Sequence, residues 1–250
     1  MLIRAGRQGA VRDRCSGRKI CAHRYQIHIV GIVFIEGLPG TGKSTLARGL
    51  CELLREAGLE ATWYLEEAAD HPVHPATFIR TRKEPGFAER CLENWHHFVK
   101  QVESERGVHL LEGSALQSTV RFMMEQENAC TEGYFQRFIE IVNRLSPALI
   151  YLSADNARQH SRNVASHRGA IWSGKVSTYL QGTPYSTARN WKGESGMHSF
   201  WSDYAARCDE FVKRSGMATL TLRAVPGDVK SQLSRSIAFL RDKDVGVLER

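Results

Sequence analysis

The sequence contains no apolar run that could cross a membrane, since the longest, Ile29 to Ile35, is far short of the roughly 20 residues a spanning helix needs. No apolar h-region follows Met1, so a secretory signal is not expected. Cysteine is sparse and unpatterned. Cys15, Cys21, Cys51, Cys91, Cys130 and Cys208 form no C-x-x-C pair and no regular framework, which points to free thiols in a reducing compartment and so to a cytoplasmic protein. Cys15, Cys21 and His23 lie close together but lack a fourth ligand, and no zinc site is expected there. Neither an N-K-x-D guanine reader nor an LSGGQ-type transporter signature is present, and no internal repeat or low-complexity block is evident.

Evenly spread positive charge is also missing. The formal net charge is +7 over 250 residues, but Arg4, Arg7, Arg12, Arg14, Arg18, Lys19 and Arg24 face only Asp13 in the first 27 residues. The remainder is close to neutral, so the folded body lacks the basic bias of a nucleic-acid-binding domain, and nucleic acid is not an expected partner. Residues 1–27, rich in Gly, Arg and Ser with little apolar periodicity, are expected to be a disordered basic extension. A basic arm, an organellar transit peptide and translated upstream sequence are its three readings, and the domain proper is expected over 28–250.

From residue 28 onward, short apolar runs alternate with longer amphipathic stretches, the pattern of βαβ units. The expected fold class is α/β, with a five-stranded parallel sheet covered by helices on both faces. Strands are predicted at His28–Glu36, Ala61–Glu66, Val108–Glu112, Ala148–Ser153 and Ala218–Arg223. Leu46, Leu50, Leu53 and Leu54, stopped by Gly58, predict one core-facing helix, and Phe87, Cys91, Trp95, Phe98 and Val102 predict a second. The stretch 158–198 is punctuated by Gly169, Gly174, Gly182, Gly193 and Gly196 and carries Arg162, Arg168, Lys175, Arg189 and Lys192. It reads as a mobile, basic insertion and, because long ordered loops are uncommon unless functional, as a lid.

Gly37-Leu38-Pro39-Gly40-Thr41-Gly42-Lys43-Ser44 matches G-x-x-x-x-G-K-[ST], directly after a hydrophobic strand and directly before an amphipathic helix. That placement makes the match specific. Glycines let the backbone bend so that its N–H groups cradle a phosphate at the positive end of a helix, so residues Gly37 to Thr45 are expected to grip ATP. Lys43 is expected to neutralise the β- and γ-phosphates, and the Ser44 hydroxyl to hold Mg. In doubly wound sheets ligands lie beyond the carboxyl ends of the strands, so acids ending strands two and three are the natural partners of this loop. Glu112 ends strand three and is a candidate Mg ligand. Glu66, or Glu67 beside it, ends strand two and could take the proton of an attacking hydroxyl. His71 and His74 could line an acceptor pocket or be plain loop residues.

These motifs resemble the small P-loop kinases, particularly the thymidylate and deoxynucleoside kinase group, in layout over residues 30 to 240. The resemblance implies the strand order 2-3-1-4-5, a glutamate after strand two as base or substrate contact, an acid after strand three that assists Mg, and lid arginines such as Arg162 and Arg168. The chain departs from that group at Gly113-Ser114, where an arginine is usual, and in a longer lid. The expected activity is ATP- and Mg-dependent phosphoryl transfer to a small-molecule acceptor. An antibiotic-modifying phosphotransferase would use the same parts, and a P-loop ATPase acting as a nucleotide switch is the alternative of a different class. The sequence leaves the acceptor, the oligomeric state and the choice between Glu66 and Glu67 open.

Overall fold

The computed structural model describes residues 30–127 and 131–243. Strands β1 (Val30–Gly37), β2 (Ala61–Tyr64), β3 (Gly107–Glu112), β4 (Ala148–Ser153) and β5 (Ala218–Arg223) form one parallel sheet in the order β2-β3-β1-β4-β5. The helices, in chain order, are α1 (Lys43–Glu56), α2 (Ala76–Ile79), α3 (Phe87–Ser104), α4 (Arg121–Glu125), α5 (Thr131–Val142), α6 (Ala157–Arg168), α7 (Ala170–Gln181), α8 (Pro184–Ala188), α9 (Gly193–Arg214) and α10 (Val229–Asp242).

The central strands are apolar throughout because both faces are covered. Alternate residues serve opposite layers. Val33 and Ile35 of β1, Leu110 of β3, and Ile150 and Leu152 of β4 pack with Leu46, Leu50 and Leu54 of α1 and Leu240 of α10. Ile32 and Phe34, Leu111, Leu149 and Tyr151 pack on the other side with α3, α5 and α9. There Trp95 is fully buried, lies 5.0 Å from the Phe138 ring and 5.6 Å from Phe34, and donates its indole N–H to the Tyr134 hydroxyl at 3.0 Å. Truncating such a side chain typically costs about 3–5 kcal/mol.

Three sequence expectations need adjustment. Strand two ends at Tyr64, and Glu66 lies in the turn beyond it. Leu53 is 38% exposed, since at 100° per residue it sits at the edge of the stripe set by Leu46, Leu50 and Leu54. His28, Ile29 and the basic extension lie outside the described residues. The third concerns 158–198, which is helical: it runs through α6, α7 and α8 into the start of α9. Its glycines mark joints between helices, with Gly169 between α6 and α7, Gly182 ending α7 and Gly193 opening α9. Asn156 caps α6 by accepting from Gln159 N–H at 2.9 Å, and Thr183 caps α8 ahead of Pro184.

The register carries the site. Ile35 pairs with Glu112 and Gly37 with Leu152, so the ends of β1, β3 and β4 deliver the phosphate-loop sequence and Glu112 to one edge of the sheet.

Candidate nucleotide and acceptor site

After β1 the chain turns through Leu38–Thr41, held by Thr41 N–H and hydroxyl donating to the Leu38 carbonyl at 3.3 and 2.8 Å, and enters α1 at Gly42. Gly40 has φ +79, and a Cβ there would lie 2.6 Å from Val164 Cγ2 of α6. Only glycine fits this turn under that helix. Around Gly42 nothing lies within 4 Å of a Cβ position, so the N-terminal end of α1 faces open space. Ser44 and Thr45 are exposed on its first turn, while Pro39 is partly buried and Leu38 is buried.

Lys43 is only 5% exposed, and its ammonium donates to Gly37 O at 3.2 Å, Leu38 O at 3.3 Å and Gln117 Oε1 at 2.9 Å. Burying a charge requires such partners. All three are neutral oxygens of the kind an anion can displace.

Beyond β3 the chain makes a turn of π-helix, Leu116–Val120, in which Ser118 N–H donates to Gly113 O at 2.9 Å, five residues back. This turn aims Gln117 and Ser118 at Glu66. Gln117 Nε2 donates to the two Glu66 oxygens at 2.9 and 2.7 Å, and Ser118 Oγ donates to Oε1 at 2.8 Å. Gly113 makes the approach possible: its φ is +62, and a Cβ would fall 2.5 Å from Glu66 Oε2. The residue at which the chain departs from the resembling kinases is thus where the Glu66 carboxylate fills the space of a side chain. Burial raises the pKa of Glu66, opposed by Lys43, Arg121, Ser118 and Gln117. Glu67 is exposed and makes no hydrogen bond or ion pair among the described residues.

Glu112 is 3% exposed and accepts a short hydrogen bond from the Ser44 hydroxyl through Oε1. Its Oε2 is buried without a hydrogen-bond partner. Burial raises its pKa, with Ser44 and Lys43 acting the other way; the Trp63 indole also favours the anion, though it lies outside hydrogen-bond geometry. A buried carboxylate oxygen with unused lone pairs, next to a hydroxyl at the head of a phosphate loop, suits a hard cation such as Mg. Ser44 and Glu112 therefore fit the metal assigned to them in the sequence. Among the described residues no group of three or more His, Cys, Asp or Glu could hold a metal by itself, so phosphate and water would complete any such site.

Two residues near this centre carry no sequence motif. Glu36 is fully buried at the end of β1 and accepts from Ala115 and Leu116 N–H at 2.7 and 3.3 Å, while burial pushes its carboxyl up to about 8. Arg121, at the start of α4, donates to Gln117 O at 3.0 Å, pairs with the buried Glu125 and acts electrostatically on Glu66.

The other expected residues lie apart. Arg162 is exposed on α6, where its charge acts on His198, and Arg168 is exposed and stacks over Trp172 at 4.9 Å. Neither touches the phosphate loop in this arrangement. What does touch it from α6 is Val164 and His160, whose Nε2 donates to Pro39 O at 2.9 Å. His71 and His74 are buried and stacked 3.5 Å apart; His71 Nδ1 accepts from Val73 and His74 N–H, and its Nε2 reaches Ser114 Oγ at 3.1 Å. Desolvation lowers their pKa values to about 2 and about 4, so both are neutral; His71 pins the loop after β2 through its hydrogen bonds, while both ring nitrogens of His74 are buried without a partner. Cys51, Cys91 and Cys208 are free and buried, and Cys15, Cys21 and Cys130 lie outside the described residues.

No family model matches the chain, and no curated protein matches it in sequence. Solved structures do match in shape. The YorR protein of Bacillus subtilis, in complex with phosphorylated GDP, is similar with a TM-score of 0.50 at 13% identity, covering 85% of this chain and 96% of that one. The fold is the P-loop fold. A shikimate kinase from Bacteroides thetaiotaomicron aligns at a TM-score of 0.46 and 16% identity over 84% of this chain and 98% of its own. A gluconokinase from Sinorhizobium meliloti 1021 aligns at 0.43 and 14% over 86% and 94%. In this chain the loop lies between β1 and α1, at the centre of the order β2-β3-β1-β4-β5. No helix among the described residues is long and apolar enough to cross a membrane.

Proposed function

We propose that the chain is an ATP- and Mg-dependent phosphotransferase whose acceptor is the hydroxyl or phosphate of a small molecule. One observation carries the reading: Lys43, Gln117 and Glu66 form a single hydrogen-bonded run, linking a phosphate-loop lysine to a buried carboxylate. The phosphorylated nucleotide held by YorR, on the same fold, supports a nucleotide at this loop.

In this mechanism the N–H groups of Gly40 to Ser44 and the Lys43 ammonium receive the β- and γ-phosphates, with Lys43 exchanging its neutral carbonyl partners for phosphate oxygens. Mg, held by Ser44 and Glu112, would supply positive charge to the same oxygens. Glu66 takes the proton of the acceptor hydroxyl as its oxygen bonds to the γ-phosphorus, while the bond from that phosphorus to the β-bridging oxygen breaks and ADP leaves. Burial raises the Glu66 pKa towards a range useful for a base, while three hydrogen bonds from two donors, Gln117 Nε2 and Ser118 Oγ, hold it in the acceptor-only form. The helices over 158–198 act as the cover of the site. Arg162 and Arg168 would reach phosphate only through movement of α6, so their contribution is smaller than that of Lys43.

Incubation with γ-labelled ATP and Mg against nucleosides, nucleotides, hydroxy acids, amino sugars and antibiotics tests the reading. Label on one class of acceptor is the expected result. Phosphate release with no labelled acceptor in any class would contradict it and favour a nucleotide switch.

A further inference from the structure

Lys43 and Glu66 are oppositely charged neighbours that act on each other electrostatically, yet they form no ion pair. The Gln117 amide stands between them. An ammonium can only donate, so Gln117 must present Oε1 to Lys43, and this orientation turns Nε2 toward both oxygens of Glu66. Each end of the amide dipole meets the charge it suits. The side chain is held there by its backbone: the π-turn bond from Ser118 N–H to Gly113 O fixes the segment, and Arg121 Nε donates to Gln117 O.

We infer that Gln117 is a positioning residue, an amide wedge that keeps Lys43 and Glu66 from neutralising each other and so leaves Lys43 free to exchange its partners for phosphate. The inference rests on the reading of Lys43 as the phosphate ligand and Glu66 as the base.

The physical reason is competition. With the wedge in place Lys43 is held by three neutral oxygens, whose partial charges attract the ammonium less than the full charge of a carboxylate would. Without it, the carboxylate of Glu66 becomes the closest partner of the ammonium in a site of low dielectric, where a pair of opposite charges is hard to separate. Phosphate would then have to displace a carboxylate, and the base would be consumed in the same contact. Gln117 thus keeps both groups in their working state before either substrate arrives.

The test is nucleotide affinity, which needs no acceptor. ATP is titrated calorimetrically into the full chain as wild type, Gln117→Met, Gln117→Ala and the double variant Gln117→Met with Glu66→Gln, with melting curves to verify folding. Methionine keeps the volume and removes both polar ends. Gln117→Met and Gln117→Ala are expected to weaken ATP about tenfold, and the double variant to recover most of that loss, because a neutral Glu66 replacement cannot seize Lys43. Wild-type affinity in Gln117→Met, or a double variant as weak as the single one, would overturn the wedge, since a merely structural role is not rescued at Glu66. A crystal structure of Gln117→Met decides independently: Glu66 ion-paired to Lys43 supports the proposal, and Glu66 still held by Ser118 away from Lys43 overturns it. Absence of ATP binding in the wild type would contradict the nucleotide reading itself, and the crystal structure alone would then decide the wedge.

Discussion

The phosphate loop and the helical cover meet where Val164 and His160 of α6 touch Gly40 and Pro39, but different forces build the two regions. The loop side is a run of hydrogen-bonded polar groups: Lys43, Gln117, Glu66, Ser118, Glu112 and the exposed Ser44 satisfy one another over short distances, except at the unpartnered Glu112 Oε2. The cover is a packing of aromatic side chains. Tyr185 lies 5.9 Å from Trp191 and 5.8 Å from Phe200, and Trp201 packs on Tyr204, while the cover's charges stand outside. Polar networks tolerate little change because each lost partner leaves a buried group unsatisfied, whereas apolar packing relaxes around a substitution.

This contrast can be broken most directly at its charges. Lys43→Ala should lower phosphoryl transfer by at least ~10²-fold, the scale of removing one preorganised group at developing charge. Arg162→Ala and Arg168→Ala, at exposed positions without contact to the loop, should lower it by less than ~10-fold. Single-turnover rates with labelled ATP measure all three. A loss at Arg168 equal to that at Lys43 would mean that the cover swings its charges onto the nucleotide.

The junction offers a second test of smaller size. Gly40→Ala forces a side chain into a left-handed turn and against Val164, costing about 1–2 kcal/mol for the backbone alone. Pairing it with Val164→Ala should restore part of the stability in a denaturant titration. Full additivity of the two losses would show that α6 does not press on the loop.

A third test concerns Glu36, which borders the polar set from beneath. Its folded pKa is about 8 against an ordinary 4.5, because burial outweighs the attraction of Lys43 and the Ala115 and Leu116 N–H groups. The folded chain therefore holds a proton that the unfolded chain releases above its ordinary value, and this contribution to stability declines as pH rises from about 4.5 to about 8. Glu36→Gln should flatten that decline, seen as a melting temperature that falls less than wild type's between pH 5 and pH 8. Parallel curves would mean that Glu36 titrates normally.

How much was legible follows the same division. The glycine spacing of 37–44 and the doubly covered strands follow from local chemistry, the order of the sheet came only from the resemblance to the small P-loop kinases, and all three stand in the structure. Ser44 and Glu112 were read from the sequence as separate candidate Mg ligands, and their hydrogen bond was not, because it depends on the start of α1 and the end of β3 meeting at one edge. Gln117 and Arg121 were not, since the π-turn that aims them depends on Gly113 yielding its space to Glu66 from another strand's end. The stretch 158–198 misled because glycine and charge read alike in a loop and at helix joints. What makes it helical is the burial of Leu180, Tyr185 and Phe200 against distant partners.

The most direct test of the central claim is a calorimetric titration of ATP, with and without Mg, into wild type, Lys43→Ala and Glu112→Gln. The account predicts Mg-strengthened binding in wild type, binding abolished in Lys43→Ala, and residual binding that no longer responds to Mg in Glu112→Gln. Equal affinity in wild type and Lys43→Ala, or an unchanged Mg response in Glu112→Gln, would contradict it.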